Sequence, residues 1–261
     1  PTPRAISSPT WMLDAFPAAL ALPGLWWLAG AIVAAGLVRG FTGFGSALII
    51  MPAASSVLDP FAALVFLTTV EFWGPLPNLP AALRTGQRAE TLYLLGGAAV
   101  GLPLGLWALS FLAPEVFGWL VSCVVLVLLS LVMTGWRYRG ALPPRAVAGV
   151  GSVGGFLGGV AGVPGPPVIM LYMASALPIA VIRANFLLYL LGIDLLMITV
   201  LLGAGLLDMV ALTVGVLLVP LYMLANVAGA WVFDPGAERL FRAVAYLVIA
   251  ASAILGLPIW E

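Results

Sequence analysis

Four charged side chains lie within or beside long apolar stretches of the sequence and are best placed to do chemistry: Arg39, Glu71, Arg183 and Asp194. The planar guanidinium of arginine matches an oxyanion through two parallel hydrogen bonds. A carboxyl group in apolar surroundings is costly when ionised, so each acid should either pair with an arginine or hold a proton that it can exchange. Arg39 could bind an anion or neutralise Glu71, and Arg183 could bind an anion or anchor its helix at a membrane surface.

Two segments rich in glycine and proline accompany these charges. Residues 39–46 read RGFTGFGS, and residues 158–167 read GGVAGVPGPP. Glycine permits positive φ and proline removes a backbone donor, so both segments predict a broken helix. Half-helices that begin there would direct free N–H groups at a pocket between them, which suits an anion. The alternative is that these residues only permit close helix packing.

We therefore predict that the two breaks enclose a small anionic substrate. The predicted binding residues are Gly43, Phe44, Gly45, Ser46, Gly162, Val163, Pro164, Gly165, Pro166, Arg183 and Asn185. A gating or coupling role, including the carriage of a coupled proton, is predicted for Arg39, Glu71, Asn78 and Asp194. No metal site and no cofactor is predicted.

The composition decides which elements must position these residues. Of 261 residues, 63% are hydrophobic and 8% are charged, with a mean hydropathy of +1.19. These values exclude a soluble globule and predict an all-α polytopic membrane protein in a lipid bilayer. There is no histidine and no lysine, which removes parts that most enzyme mechanisms need, and a net charge of zero excludes nucleic-acid binding.

Internal similarity predicts two related halves. Shifting the sequence by 119 residues superposes five glycines and aligns Ile50-Met51 with Ile169-Met170. The predicted organisation is an N-terminal segment at 1–23 without a signal-peptide pattern, repeats at 24–137 and 146–261, and a cytoplasmic linker at 138–145.

Arginine positions predict how the halves are oriented, because short cytoplasmic loops collect positive charge. Each half would contain a broken, re-entrant helix pair and three transmembrane helices. If each short pair enters and leaves the same face, the arginine-bearing loops near residues 84–88, 137–145 and 239–242 all lie in the cytoplasm. An odd number of crossings inverts the second half. The prediction is therefore an inverted-topology repeat, an arrangement found in secondary transporters.

The strings GFTGFGSALIIMP (residues 40–52) and GVPGPPVIMLY (residues 162–172) resemble the two signature elements of the TauE/SafE sulfite exporter family, also called the toluene sulfonate uptake permeases. The likeness extends through 75–84, 97–105 and 183–185. It implies a transporter of sulfite, organosulfonates such as sulfoacetate, or related sulfur oxyanions. It also implies that the two glycine-rich elements and Arg183 contribute to the site. The first element reads GFGS rather than the GIGGG form common in the family, which leaves the substrate size open.

Together these observations predict a secondary transporter in the bacterial inner membrane, an exporter that works by alternating access. Two alternatives stay open at this point. The first is a carrier of a small carboxylate, and the second is an intramembrane protein that does not transport. The sequence specifies neither the coupling ion nor the oligomeric state.

Overall fold

The computed structural model describes residues 11–134, 143–172, 177–232 and 238–259. Among these residues there are twelve α-helices and no β-strand. In chain order the helices are α1 Trp11–Leu20, α2 Leu25–Thr42, α3 Ala47–Ser55, α4 Pro60–Glu71, α5 Leu79–Thr85, α6 Arg88–Leu109, α7 Pro114–Met133, α8 Pro144–Ala161, α9 Gly165–Tyr172, α10 Ile179–Gly203, α11 Met209–Val232 and α12 Glu238–Leu255.

Five of these helices are long and apolar enough to cross a membrane: α2, α6, α7, α10 and α11. They contain 18 to 25 residues, which at 1.5 Å per residue is about 27–38 Å and matches a hydrocarbon core about 30 Å thick. The chain is therefore an all-α, multi-pass membrane protein, as its composition predicts.

Both predicted helix breaks are present. Helix α2 ends at Gly43, which has a φ of 80°, and α8 ends at Gly162, which has a φ of 70°. Only glycine adopts this left-handed conformation without strain, so each glycine ends its helix and turns the chain. The helices that follow, α3 and α9, contain only nine and eight residues. Each therefore reaches only part of the way across a bilayer.

One of the three transmembrane helices predicted for the first half differs from the structure. Its apolar run, Phe61 to Leu83, is long enough for a single helix, but it divides into α4, a 3₁₀ turn at Leu76–Asn78 and α5. The physical reason is the sequence PLPNLP at residues 75–80, whose three prolines lack the N–H groups that would continue the helix. As a result Glu71 lies at the end of α4 rather than inside a long helix.

The helix bounds recur at the spacing of the internal repeat. The first and last residues of α8 lie 119 residues after those of α2, and α10 begins 119 residues after α4. The most extensive helix packing is also reciprocal, because α6 packs on α8 while α11 packs on α2. Each pair therefore joins a helix of one predicted half to a helix of the other. The division into repeats at 24–137 and 146–261 stays a prediction, and residues 138–142 of the linker lie outside the described residues.

Contacts at helix ends show at which end of the molecule each broken helix pair begins and ends. A Cβ added at Gly24 would lie 2.8 Å from Val57, so the start of α2 and the residues after α3 lie at the same end of the molecule. The second broken pair, α8 and α9, is located through its neighbours α6 and α10. The Gln87 N–H donates to Asn185 Oδ1 at 2.6 Å, which places the starts of α6 and α10 together.

Helix α8 begins at the end where α6 begins. A Cβ added at Gly97 would strike the Ala148 carbonyl, and one added at Gly105 would strike the Phe156 carbonyl, so the two helices run parallel in close contact. The chain thus enters α8 and leaves α9 at one end of the molecule. Each broken pair therefore begins and ends at one end of the molecule, and the inverted orientation of the two halves stays a prediction.

Candidate functional site

The first helix break brings three polar side chains together. Arg39 is on the last turn of α2, Ser46 immediately precedes α3, and Glu71 ends α4. Arg39 Nη1 lies 3.5 Å from Glu71 Oε1 and donates to Ser46 Oγ at 3.1 Å. Ser46 Oγ in turn donates to Glu71 Oε1. All three residues are buried, with Arg39 only 9% exposed, so the guanidinium has exchanged water for these partners.

Helices α10 and α11 add further polar groups to the same cluster. Asp194 of α10 interacts electrostatically with Arg39 and Glu71, and Tyr222 of α11 is fully buried and interacts with the same two residues. Among the described residues the cluster therefore contains one cation and two carboxyl groups. An additional anion would be attracted by Arg39 and repelled by whichever carboxyl groups are ionised.

A cavity of about 30 Å³ lies between the two helix breaks. One buried water molecule needs roughly 10–15 Å³ of such space, so the cavity has room for a group about the size of two to three water molecules. Arg39, Ser46 and Glu71 form its polar wall. The rest of the lining comes from the first break (Phe44, Gly45, Ala47 and Leu48), the second break (Val163, Pro164, Gly165 and Pro166) and α10 (Phe186 and Leu190).

The two breaks differ in the backbone donors that they can offer. The N–H groups of the first turn of a helix have no acceptor within that helix. At α3 the N–H groups of Ile49 and Ile50 donate to the Ser46 carbonyl, so Ala47 and Leu48 carry the remaining donors of the first turn. At α9, Pro166 and Pro167 have none, so Gly165 and Val168 are the donors in the first turn. The start of α3 can therefore offer two adjacent N–H groups to an anion, whereas the donors of α9 are separated by two prolines.

Of the residues predicted for binding, seven line the cavity: Phe44, Gly45, Ser46, Val163, Pro164, Gly165 and Pro166. Arg39 and Glu71, predicted for gating or coupling, also line it. Gly43 and Gly162 end the helices just before the lining segments and turn the chain toward the cavity. Asn78 is exposed in the 3₁₀ turn and is outside the lining, as is Asp194.

Arg183 and Asn185 lie near the start of α10, away from the cavity lining. Arg183 is exposed, as expected for the anchor that its sequence position also permitted. Asn185 is fully buried, but its side chain accepts the Gln87 N–H and donates to Glu90 Oε2 at 3.1 Å. The amide of Asn185 is thus used to tie α6 to α10. A direct role of either residue in binding stays a prediction.

Sequence reasoning missed four lining residues: Ala47, Leu48, Phe186 and Leu190. The two on α10 carry no polar atom beyond the backbone, so no chemical signal marks them. The repeat could have identified Leu190, which lies 119 residues after Glu71. Among the described residues no group of three histidine, cysteine, aspartate or glutamate side chains is arranged to hold a metal ion.

Comparison with known proteins gives one result at the level of the family. The family model described as "Sulfite exporter TauE/SafE" matches residues 28–255, which include both helix breaks and every residue of the cavity lining. No curated protein and no solved structure matches the chain.

Proposed function

The chain belongs to the TauE/SafE sulfite exporter family, which implies a membrane transporter of sulfur anions rather than an enzyme, and on that basis we propose that it exports sulfite across the bacterial inner membrane. A single observation carries this proposal: a buried arginine lines a small cavity between two broken helices. Matched helix interruptions that meet within a membrane protein are the expected location of a transporter's substrate.

The polar wall of the cavity supplies suitable ligands for an oxyanion. Arg39 would form charge-assisted hydrogen bonds with the anion, and Ser46 would donate its hydroxyl. The N–H groups at the start of α3 would add backbone donors and the positive end of a helix dipole. Both side chains are engaged with Glu71 in the structure, so the anion would compete with that carboxyl group for them.

This competition suggests how protons would be coupled to the anion. With both Glu71 and Asp194 ionised, the cluster would carry more negative than positive charge, and an arriving anion would be repelled. Protonation of either acid would weaken that repulsion, and protonation of Glu71 would also weaken its ion pair with Arg39. We assign the coupled proton to these two carboxyl groups, so the proton and the anion would cross together and net export would follow the outward gradient of sulfite. Alternating access would then expose the cavity first to one side of the membrane and then to the other.

Flux measurements in proteoliposomes test the proposal. The purified protein is reconstituted, and the movement of ³⁵S-labelled sulfite is followed with and without a pH gradient. Saturable flux that increases with the proton gradient is expected, and absence of saturable sulfite flux under both conditions would sink the proposal.

The same assay separates sulfite transport from the carboxylate carrier. Acetate and amino acids are added as competitors beside unlabelled sulfite. Unlabelled sulfite should inhibit labelled flux more strongly than the carboxylates do. The reverse order would instead favour the carboxylate carrier, because Arg39 can pair with either head group.

A further inference from the structure

The walls of the cavity are chemically divided between the two halves of the chain. Its charged and hydroxyl groups, Arg39, Ser46 and Glu71, all lie in the first half. The second half contributes the apolar residues of the second break and of α10. An anion held by Arg39 would therefore direct any non-polar substituent across the cavity, toward α10.

Phe186 occupies the position that such a substituent would need. Its side chain is buried, with 6% exposed, and its ring lies against the first residue of α9. A Cβ added to Gly165 would be 3.3 Å from Phe186 Cζ and 3.9 Å from Leu190 Cδ2. Phe186 and Leu190 are four residues apart, so they share one face of α10 and form a ridge along the apolar wall.

Because the cavity is small, this ridge determines which substituents on the anion can fit. Its volume of about 30 Å³ leaves little space beyond a compact inorganic head group. An alkyl chain that extends from the sulfur toward α10 could be accommodated there only by displacing the Phe186 ring. Close packing around a buried aromatic ring opposes such a displacement.

We infer that Phe186 is the size filter of the site and restricts it to inorganic sulfur oxyanions that carry no alkyl group. This inference rests on the proposed function and defines its substrate class more narrowly. It makes Phe186 a specificity-determining residue, although it carries no charge and belongs to neither glycine-rich segment.

Competition in proteoliposomes tests the filter. Inhibition of labelled sulfite flux by methanesulfonate, ethanesulfonate and propanesulfonate is measured for the wild-type protein and for Phe186→Ala. Ethanesulfonate should inhibit the wild-type protein weakly. It should inhibit Phe186→Ala at a concentration lower by about tenfold or more, because even a single methylene in an apolar pocket changes discrimination by about that factor.

Three further variants provide a control, a replacement and a second test of the ridge. Phe156→Ala is the matched control, because Phe156 is on α8, is 40% exposed and is absent from the cavity lining. It should behave as the wild-type protein does. Phe186→Leu replaces Phe186→Ala if the latter does not yield folded protein, and Leu190→Ala should shift selectivity in the same direction.

The outcomes of this assay distinguish failure of the proposed size filter from failure of the proposed transport function. If wild-type protein carries sulfite but ethanesulfonate inhibits it as strongly as sulfite does, the filter is wrong and the proposed function stands. If no folded ridge variant gains sensitivity to ethanesulfonate, the filter is likewise wrong. If no variant and no wild-type protein carries sulfite, the proposed function itself fails.

Discussion

Arg39 and Glu71 show how strongly one buried pair can depend on its partners. Breaking such a pair by neutralising one member leaves an uncompensated charge, at a typical cost of about 3–5 kcal/mol. In wild-type protein Glu71 and Ser46 contact the guanidinium and Asp194 interacts with it electrostatically, so loss of the Glu71 charge removes the carboxylate that is in direct contact with Arg39. An anion bound in the cavity would take over that role.

Glu71→Gln should therefore make the anion-free protein less stable and increase the stabilisation that bound sulfite provides. We expect the variant to unfold at a lower temperature than wild-type protein when no anion is present. Sulfite should then raise its unfolding temperature by more than it raises that of wild-type protein, because binding supplies the missing negative charge. Thermal unfolding in detergent, with and without sulfite, measures both effects.

Glu115→Gln provides the comparison for this variant. Glu115 is an exposed carboxylate at the start of α7, so its neutralisation should change neither the unfolding temperature nor the response to sulfite. A sulfite-dependent shift for Glu71→Gln that is no larger than that of wild-type protein would show that the anion does not replace Glu71.

At the scale of elements, the two helix breaks are similar in backbone but different in surroundings. Gly43 and Gly162 are both left-handed and both end an 18-residue helix. A Cβ at Gly43 would meet nothing within 4 Å, whereas one at Gly162 would lie 2.7 Å from Cγ and Sδ of Met51. Met51 is fully buried and has little space to move aside.

Alanine substitution should separate backbone strain from steric conflict at these breaks. Gly43→Ala should cost about 1–2 kcal/mol, the penalty for a side chain in the left-handed region. Gly162→Ala should cost more, because the strain is combined with displacement of Met51. Unfolding midpoints in detergent should fall in the order wild type, Gly43→Ala, Gly162→Ala. Equal midpoints for the two variants would contradict the tight contact between the second break and α3.

At the scale of the whole molecule, helix ends that lie together constrain the path of the chain. The contact of Gln87 with Asn185 joins the starts of α6 and α10, so residue 85 and residue 204 should lie on opposite faces of the membrane. This is the arrangement that inverted halves require.

Cysteine labelling measures this arrangement directly. Cys123 is the only cysteine, and it is first replaced by serine. Thr85→Cys and Ala204→Cys then place single thiols at exposed positions. A membrane-impermeant maleimide applied to intact cells should label residue 204 and should reach residue 85 only after the cells are opened. Labelling of both thiols under the same condition would contradict inverted halves.

Much of this organisation follows from the sequence, for identifiable physical reasons. The glycine and proline segments predict both breaks because backbone chemistry is local, and the scarcity of charge selects Arg39 and Glu71 because few other charged residues lie within apolar runs. The interruption between α4 and α5 was missed, although the prolines at residues 75, 77 and 80 could have revealed it.

Side-chain partners are harder to read from sequence. Asn185 was predicted to bind the substrate, and nothing in the sequence indicates that its amide bonds to Gln87 and Glu90, which are nearly a hundred residues away in the chain. Phe186 was not selected because an apolar residue in an apolar helix carries no distinguishing mark. Such pairings depend on how α6, α9 and α10 pack, and periodicity in one helix does not specify its neighbours.

Arg39, in the cavity between the two breaks, is the residue that we propose binds the anion. Calorimetric titration of sulfite into purified protein tests this role most directly, with wild-type protein compared with Arg39→Gln and Arg183→Gln. Loss of charge-assisted hydrogen bonds worth about 1.5–3 kcal/mol should weaken sulfite binding to Arg39→Gln by about tenfold or more. Arg183→Gln, which alters an exposed arginine outside the cavity lining, should bind sulfite as wild-type protein does. Undiminished binding by folded Arg39→Gln, or its loss in Arg183→Gln alone, would contradict the account.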